Sequence, residues 1–148
     1  MARIPAGVVV VSTRFDDGYR GITASSLGSI SLEPPMVMVG LDRQSATRGA
    51  ILSAKEFNVS VLSRAQEFIA DRFAGRAPAI DPQWRSLPHR LGSNGIPLID
   101  GAAAWLVCRL TAVHAAGDHD ICVGSVEDAQ TGSGDPLILW NRSFWSLH

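Results

Sequence analysis

Lysine is nearly missing: Lys55 is the only one, and the other basic residues are arginines scattered along the chain. Thirteen basic residues stand against fourteen acidic ones, giving a net charge of −1 at pH 7. No basic run exists to track a phosphate backbone, so nucleic acid is excluded as a partner. Cysteine is scarce as well. Cys108 and Cys122 lie inside the apolar runs Leu106–Cys108 and Ile121–Val123. Two thiols in such settings make no disulfide framework and read as buried, reduced side chains of a cytoplasmic protein. Long apolar runs are absent too. The longest, Gly101 to Cys108, is too short to cross a bilayer, so no membrane partner is expected. Ile4 to Val11 behind Arg3 has a faint look of a leader. Pro5 interrupts it and no small-residue cleavage site follows before Arg14, so a first core strand fits better.

Several chemical signatures are missing. There is no Gly-x-Gly-x-x-Gly between strand and helix, and no Gly-x-x-x-x-Gly-Lys; Gly132-Ser133-Gly134 reads as a loop. A serine hydrolase lacks its Gly-x-Ser-x-Gly elbow. Cys108, His114, His119 and Cys122 lack the paired spacing of zinc modules, so no metal is expected. Repeats, low-complexity segments and linker-like charge runs are likewise absent. The 148 residues are expected to form one domain, 1–148, large enough to bury its own core.

What is present reads mainly as strands. Gly7 to Thr13 is valine-rich and leads into the hairpin signal Asp16-Asp17-Gly18. A second strand is predicted from Arg20 to Leu32, ended by Glu33-Pro34-Pro35. Along it Thr23, Ser25, Ser29 and Ser31 fall on one face, interrupted only by Leu27, and Ile22, Ala24, Ser26, Gly28, Ile30 and Leu32 on the other. Small, hydroxyl-bearing side chains fill a core poorly but let a polar ligand approach the backbone. Met36 to Leu41 reads as a strand covered on both sides. A short helix is predicted over Ala46 to Leu52 with Ser45 as its N-cap.

Phe57 to Leu62 alternates as a strand with one face in the core. Ser63 with Gln66 predicts a capping box for a helix carrying Phe68, Ile69 and Phe73 inward and stopping near Gly75. Arg76 to Asp100 holds four of the eight prolines and reads as a surface excursion. Trp105 to Val113 and Ile121 to Val126 predict two strands joined through Ala115 to Asp118. Leu137 to Trp140 and Phe144 to Leu147 predict a last pair. Many strands with two short helices fit a closed or partly closed antiparallel barrel, not a doubly wound sheet.

Two places carry candidate chemistry. Ser45 and Thr47 stand at the start of the first helix, where free amides and the helix dipole favour a phosphate. The hydroxyl row Thr23, Ala24, Ser25, Ser26 lies directly upstream. His119 follows Gly117-Asp118 at a turn, and Asp118 and Asp120 on either side are placed to stabilise its protonated ring. Trp84, Trp105, Trp140 and Trp145 are candidates for stacking on a planar ligand; Trp105 reads as core, and Trp140 and Trp145 suit either ligand or a neighbouring chain.

In these residues the sequence resembles the short-chain flavin reductase family, the small reductase components of two-component flavin-dependent monooxygenases. The resemblance runs through Ile4-Pro5-Ala6-Gly7-Val8, Gly21 to Ser26, Ser31 to Pro35, Phe57 to Leu62, Arg72 to Gly75, Gly117-Asp118-His119 and Asp135-Pro136-Leu137. It implies a mainly β, antiparallel, Greek-key split barrel, usually a homodimer with flavin in a groove at the subunit boundary. It further implies that Thr23, Ala24, Ser25 and Ser26 run beside the isoalloxazine and ribityl chain. Asp42, Ser45 and Thr47 would then surround the phosphate, and His119 would sit by the nicotinamide. The implied reaction is hydride transfer from NADH or NADPH to FMN or FAD, with reduced flavin passing to a separate monooxygenase. A split barrel that binds flavin without reducing it is the alternative, and a purely structural barrel the third. Arg20 and Trp140 depart from the family's pattern before the Gly-x-Thr step and near the end of the chain.

Overall fold

The computed structural model describes residues 1–74 and 84–147. Its first valine run is buried on both faces. Val9 and Val11 point into one core with Val37, Val39, Leu41, Ile51, Phe57 and Val59. Val8 and Val10 point into another with Leu62, Ala70, Phe73, Trp84, Ile99 and Leu137. A strand sandwiched this way needs branched apolar side chains in succession, which the sequence supplies.

The strands are β1 (Ala6–Gly7), β2 (Val9–Phe15), β3 (Gly18–Ala24), β4 (Gly28–Leu32) and β5 (Pro35–Asp42). Helix α1 (Ala46–Ala54) follows, then β6 (Glu56–Val61), a 3-10 turn (Arg64–Gln66) and α2 (Glu67–Phe73). After the undescribed residues come β7 (His89–Leu91), β8 (Pro97–Ile99), β9 (Ala104–Ala116), β10 (His119–Thr131), β11 (Ile138–Trp140) and β12 (Ser143–Trp145). Seven strands form one antiparallel sheet in the order β3-β2-β6-β9-β10-β5-β4, and β1-β11-β12 and β7-β8 make two small ones.

The single strand expected from Arg20 to Leu32 is two strands, on opposite edges of that sheet. Ala24 and Gly28 are four Cα steps apart, a reach of at most about 14 Å. Laid flat, the sheet would separate its edges by about 29 Å at about 4.8 Å per strand. The sheet must therefore curl. It does so without its edge strands pairing, which makes it a split barrel rather than a closed one. Ser26 fixes the crossing, since its hydroxyl donates to the Gly40 carbonyl at 2.7 Å and accepts from the Gly40 N–H at 3.1 Å.

Other elements differ from expectation for local reasons. β5 has one face in the core, through Val37, Val39 and Leu41, while Met36, Met38 and Gly40 face outward half-buried. β6 is covered on both faces. Phe57 and Val59 enter the barrel, and Asn58 and Ser60 are buried under the β7–β8 hairpin. There Asn58 donates to the Ile96 carbonyl at 2.9 Å and Ser60 Oγ accepts from the Ile99 N–H at 3.0 Å. Phe68 points outward, 62 % exposed, and only Phe73 of that helix's aromatics is buried. The Ser63 N–H donates to Gln66 Oε1 at 3.0 Å as the capping box predicts. The helix stop near Gly75 lies outside the described residues.

Trp84 packs on Phe73 at 4.9 Å between ring centroids, inside the second core. Trp105 is half-buried, donates to the Ile99 carbonyl at 2.7 Å, and is capped by the Arg90 guanidinium. Trp140 and Trp145 meet edge-on at 5.7 Å, and the Trp140 indole donates to the Arg3 carbonyl. Both indoles thus join the chain ends. Among the described residues no helix is long and apolar enough to cross a membrane.

Candidate flavin and nicotinamide site

The split in the barrel leaves an open cleft of about 290 Å³ between the ends of β3, β5 and β10. Ile22, Thr23, Ala24, Ser25 and Ser26 form one wall; Gly40, Leu41, Asp42 and His119 form the other. β3 is an edge strand, so one side of its backbone has no strand partner in the sheet. Those amides and carbonyls suit the donor–acceptor edge of a planar heterocycle. Gly40 keeps the floor low. A Cβ there would stand 3.5 Å from Ser26 Oγ and 3.8 Å from His119 Cδ2, in ordinary contact with both, and would narrow the cleft.

The hydroxyl row works differently from its sequence pattern. Thr23 Oγ1 donates to the Ala70 carbonyl at 2.6 Å, tying β3 to α2. Ser26 is committed to Gly40, and Ser25 is exposed at the rim. The row shapes the wall, and the edge backbone presents the bonding groups.

His119 opens β10, paired in register with Asp42 of β5. The two-residue turn Gly117–Asp118 precedes it, with Gly117 at φ +67°, a conformation glycine adopts without penalty. The imidazole Nδ1 bonds Asp118 Oδ1 at 2.8 Å, which leaves the Cδ2–Nε2 edge toward Gly40. That hydrogen bond, and then the ring's charge, hold the Asp118 carboxyl below the usual carboxylate range. Asp120 is no partner of the ring. Strand alternation sends it to the other face, 3 % exposed, against Arg48.

Asp42 closes the cleft and starts α1. Its Oδ1 accepts from the Gln44 N–H at 2.8 Å and its carbonyl from the Ser45 N–H at 3.0 Å. Ser45 caps α1, its Oγ accepting from the Arg48 N–H at 3.3 Å. Ser45 and Thr47 lie outside the cleft lining, and Thr47 is buried. What the helix offers a ligand is its first-turn N–H groups, which have no intrahelical acceptor. Sequence reasoning missed Gly40, whose only signal was a glycine interrupting the apolar run Met36 to Leu41.

Cys108 and Cys122 point into the barrel. Burial, and then the charge of Glu127, push the Cys108 thiol up to about 12. Burial and then Asp120 raise Cys122 as well. His114 lies opposite Ile121, on the outer face. The four residues weighed for zinc thus divide between two sides of one sheet.

The fold is thus a curled antiparallel sheet, split beside a capped helix and a histidine. The family model described as "Flavin reductase like domain" matches residues 1–148, and the chain belongs to that family of oxidoreductases. It is 38% identical over 143 residues to the flavin reductase of Pseudomonas putida, covering 96% of this chain and 82% of that protein. It is 36% identical to the reductase component of 4-hydroxyphenylacetate 3-monooxygenase from Thermus thermophilus, over 99% of this chain and 92% of that one. Among solved structures, the NADH:FAD oxidoreductase of Streptomyces globisporus superposes with a TM-score of 0.92 at 32% identity, covering 99% and 89% of the two chains.

Proposed function

We propose that this chain, as one domain over 1–148, reduces FMN or FAD with NADH and hands the reduced flavin to a separate oxygenase. The nicotinamide supplies a hydride and the flavin accepts it; the protein binds, orients and excludes water. The observation that carries this reading is one cleft containing Thr23 to Ser26, Asp42 and His119, adjoining the first turn of α1. The outer edge of β3 over Gly40 would hold the isoalloxazine. Asp42, Ser45 and Thr47, at the entry to α1, would surround the phosphate. His119, held by Asp118, would orient the nicotinamide through its remaining edge. NADH as donor and an oxygenase as recipient draw support from the names of the relatives.

The same reading makes the protein a homodimer. Met36 and Met38 of β5 register with Ser125 and Val123 of β10, and Gly40 with Ile121, on the face opposite the barrel core. That outer face is apolar and runs up to His119 and the cleft. A second copy covering it would wall the flavin site, and burying such a patch is favourable. The buried reduced thiols suit a cytoplasmic setting. The test mixes protein, NADH and FMN or FAD and follows the nicotinamide band. Steady consumption is expected. A yellow protein that consumes no NADH contradicts the reading, and so does a colourless one with no flavin affinity.

A further inference from the structure

Asp120 is the buried acid that the site does not use. Its side chain is 4 % exposed, and it stands between Arg43, in the segment that leads from β5 into α1, and Arg48, in the first turn of α1. Arg48 Nε donates to Asp120 Oδ2 at 2.7 Å, and Arg43 Nε lies 3.5 Å from Oδ1. Arg48 also donates to the Arg43 carbonyl at 3.4 Å, and the Arg43 N–H donates to the Asp118 carbonyl at 3.1 Å. One carboxylate thus joins β10, the 42–45 loop and the first turn of α1. Its chain neighbour is His119, whose ring lies on the opposite face of the strand.

A buried carboxylate stays only where bonded cations offset its desolvation, so its geometry is tightly set. Arg48 is largely covered and Arg43 half-exposed, with side chains 25 % and 51 % exposed. The firm contact therefore fixes the helix and the loose one fixes the loop.

We propose that Asp120 is a positioning residue for the flavin tail. Through Arg48 and Arg43 it holds the Asp42–Ser45 loop and the α1 N-terminus at the distance from His119 that a flavin phosphate requires. This rests on the placement of the phosphate given above. It adds that the register between tail and ring is set from behind the strand. A fault in that register affects flavins that carry a phosphate and spares riboflavin, which has none.

The experiment measures NADH oxidation by the full chain with FMN and with riboflavin, for wild type, Asp120→Asn, Asp120→Glu and Ser45→Ala. Asp120→Asn preserves shape and removes the charge. It should lower kcat/KM for FMN about tenfold through KM, as misplacement of a gripping group does, and leave riboflavin within about twofold. Asp120→Glu should recover part of the loss. In an Arg48→Gln background the Asp120→Asn change should add little, because both act through one contact. Equal losses with FMN and riboflavin would show a general structural role and overturn the proposal. So would wild-type FMN kinetics in Asp120→Asn while Ser45→Ala raises the FMN KM. If Ser45→Ala and Asp120→Asn both leave FMN untouched, the phosphate placement itself fails, and the proposal with it.

Discussion

The role proposed for His119 rests on which of its nitrogens is occupied. Nδ1 is spent on Asp118, so the ring is held and one edge is left for a ligand. Replacing it with alanine removes about one hydrogen bond's worth of orientation, about 1 kcal/mol. His119→Ala should therefore raise the nicotinamide KM about fivefold. Flavin affinity by fluorescence titration should stay within about twofold, and unchanged nicotinamide kinetics would remove His119 from the site. Cys108 makes the opposite case. Raised to about 12 by burial, its thiol stays protonated and inert near neutral pH. Native protein should resist a thiol reagent at pH 8 until denaturant is added. The unfolded chain releases this proton from about pH 9, and the native chain does not. Stability should fall as pH rises from there toward 12, which denaturant titrations would show.

At the scale of elements, α1 and β6 were legible in the sequence because their signals are local. A serine ahead of a short apolar helix, and the alternation of Phe57, Val59 and Val61, need no distant partner to be read. Ser45→Ala should cost about 1 kcal/mol through the lost cap, measured as a lower denaturation midpoint. The strand break at Ser25–Leu27 was not legible. Its one local sign is Leu27, which interrupts the hydroxyl row of Thr23, Ser25, Ser29 and Ser31, and what holds the crossing is Gly40, which accepts from and donates to Ser26 from 14 positions away. Ser26→Ala removes both bonds. It should leave the barrel folded but raise the flavin KM several-fold by loosening the cleft wall. The second face of β6 was hidden for the same reason, since its cover comes from the β7–β8 hairpin.

For the whole molecule, the split barrel was legible through the family resemblance, and so was a grouping of Thr23 to Ser26, Asp42 and His119 that one cleft brings together. The bonding groups were not visible there, because edge backbone carries no sequence signature. The outer face of β5 and β10 belongs to this scale. Met38 lies across Gly28 in the middle of it, with its Cε 3.2 Å from where a Cβ on Gly28 would stand. If a second copy covers this face as proposed, Met38→Asp should give a monomer in sedimentation experiments and abolish most of the activity, while keeping its far-ultraviolet dichroism. A second opening lies between α1 and the β2–β3 hairpin, bounded by Arg14, Phe15, Gly49 and Ser53. A crystal of the protein soaked with FMN distinguishes the two openings and is the decisive measurement. The ring is expected along Thr23 to Ser26 above Gly40, with its phosphate at the first turn of α1. Flavin density between α1 and the hairpin, with none beside His119, would contradict the account.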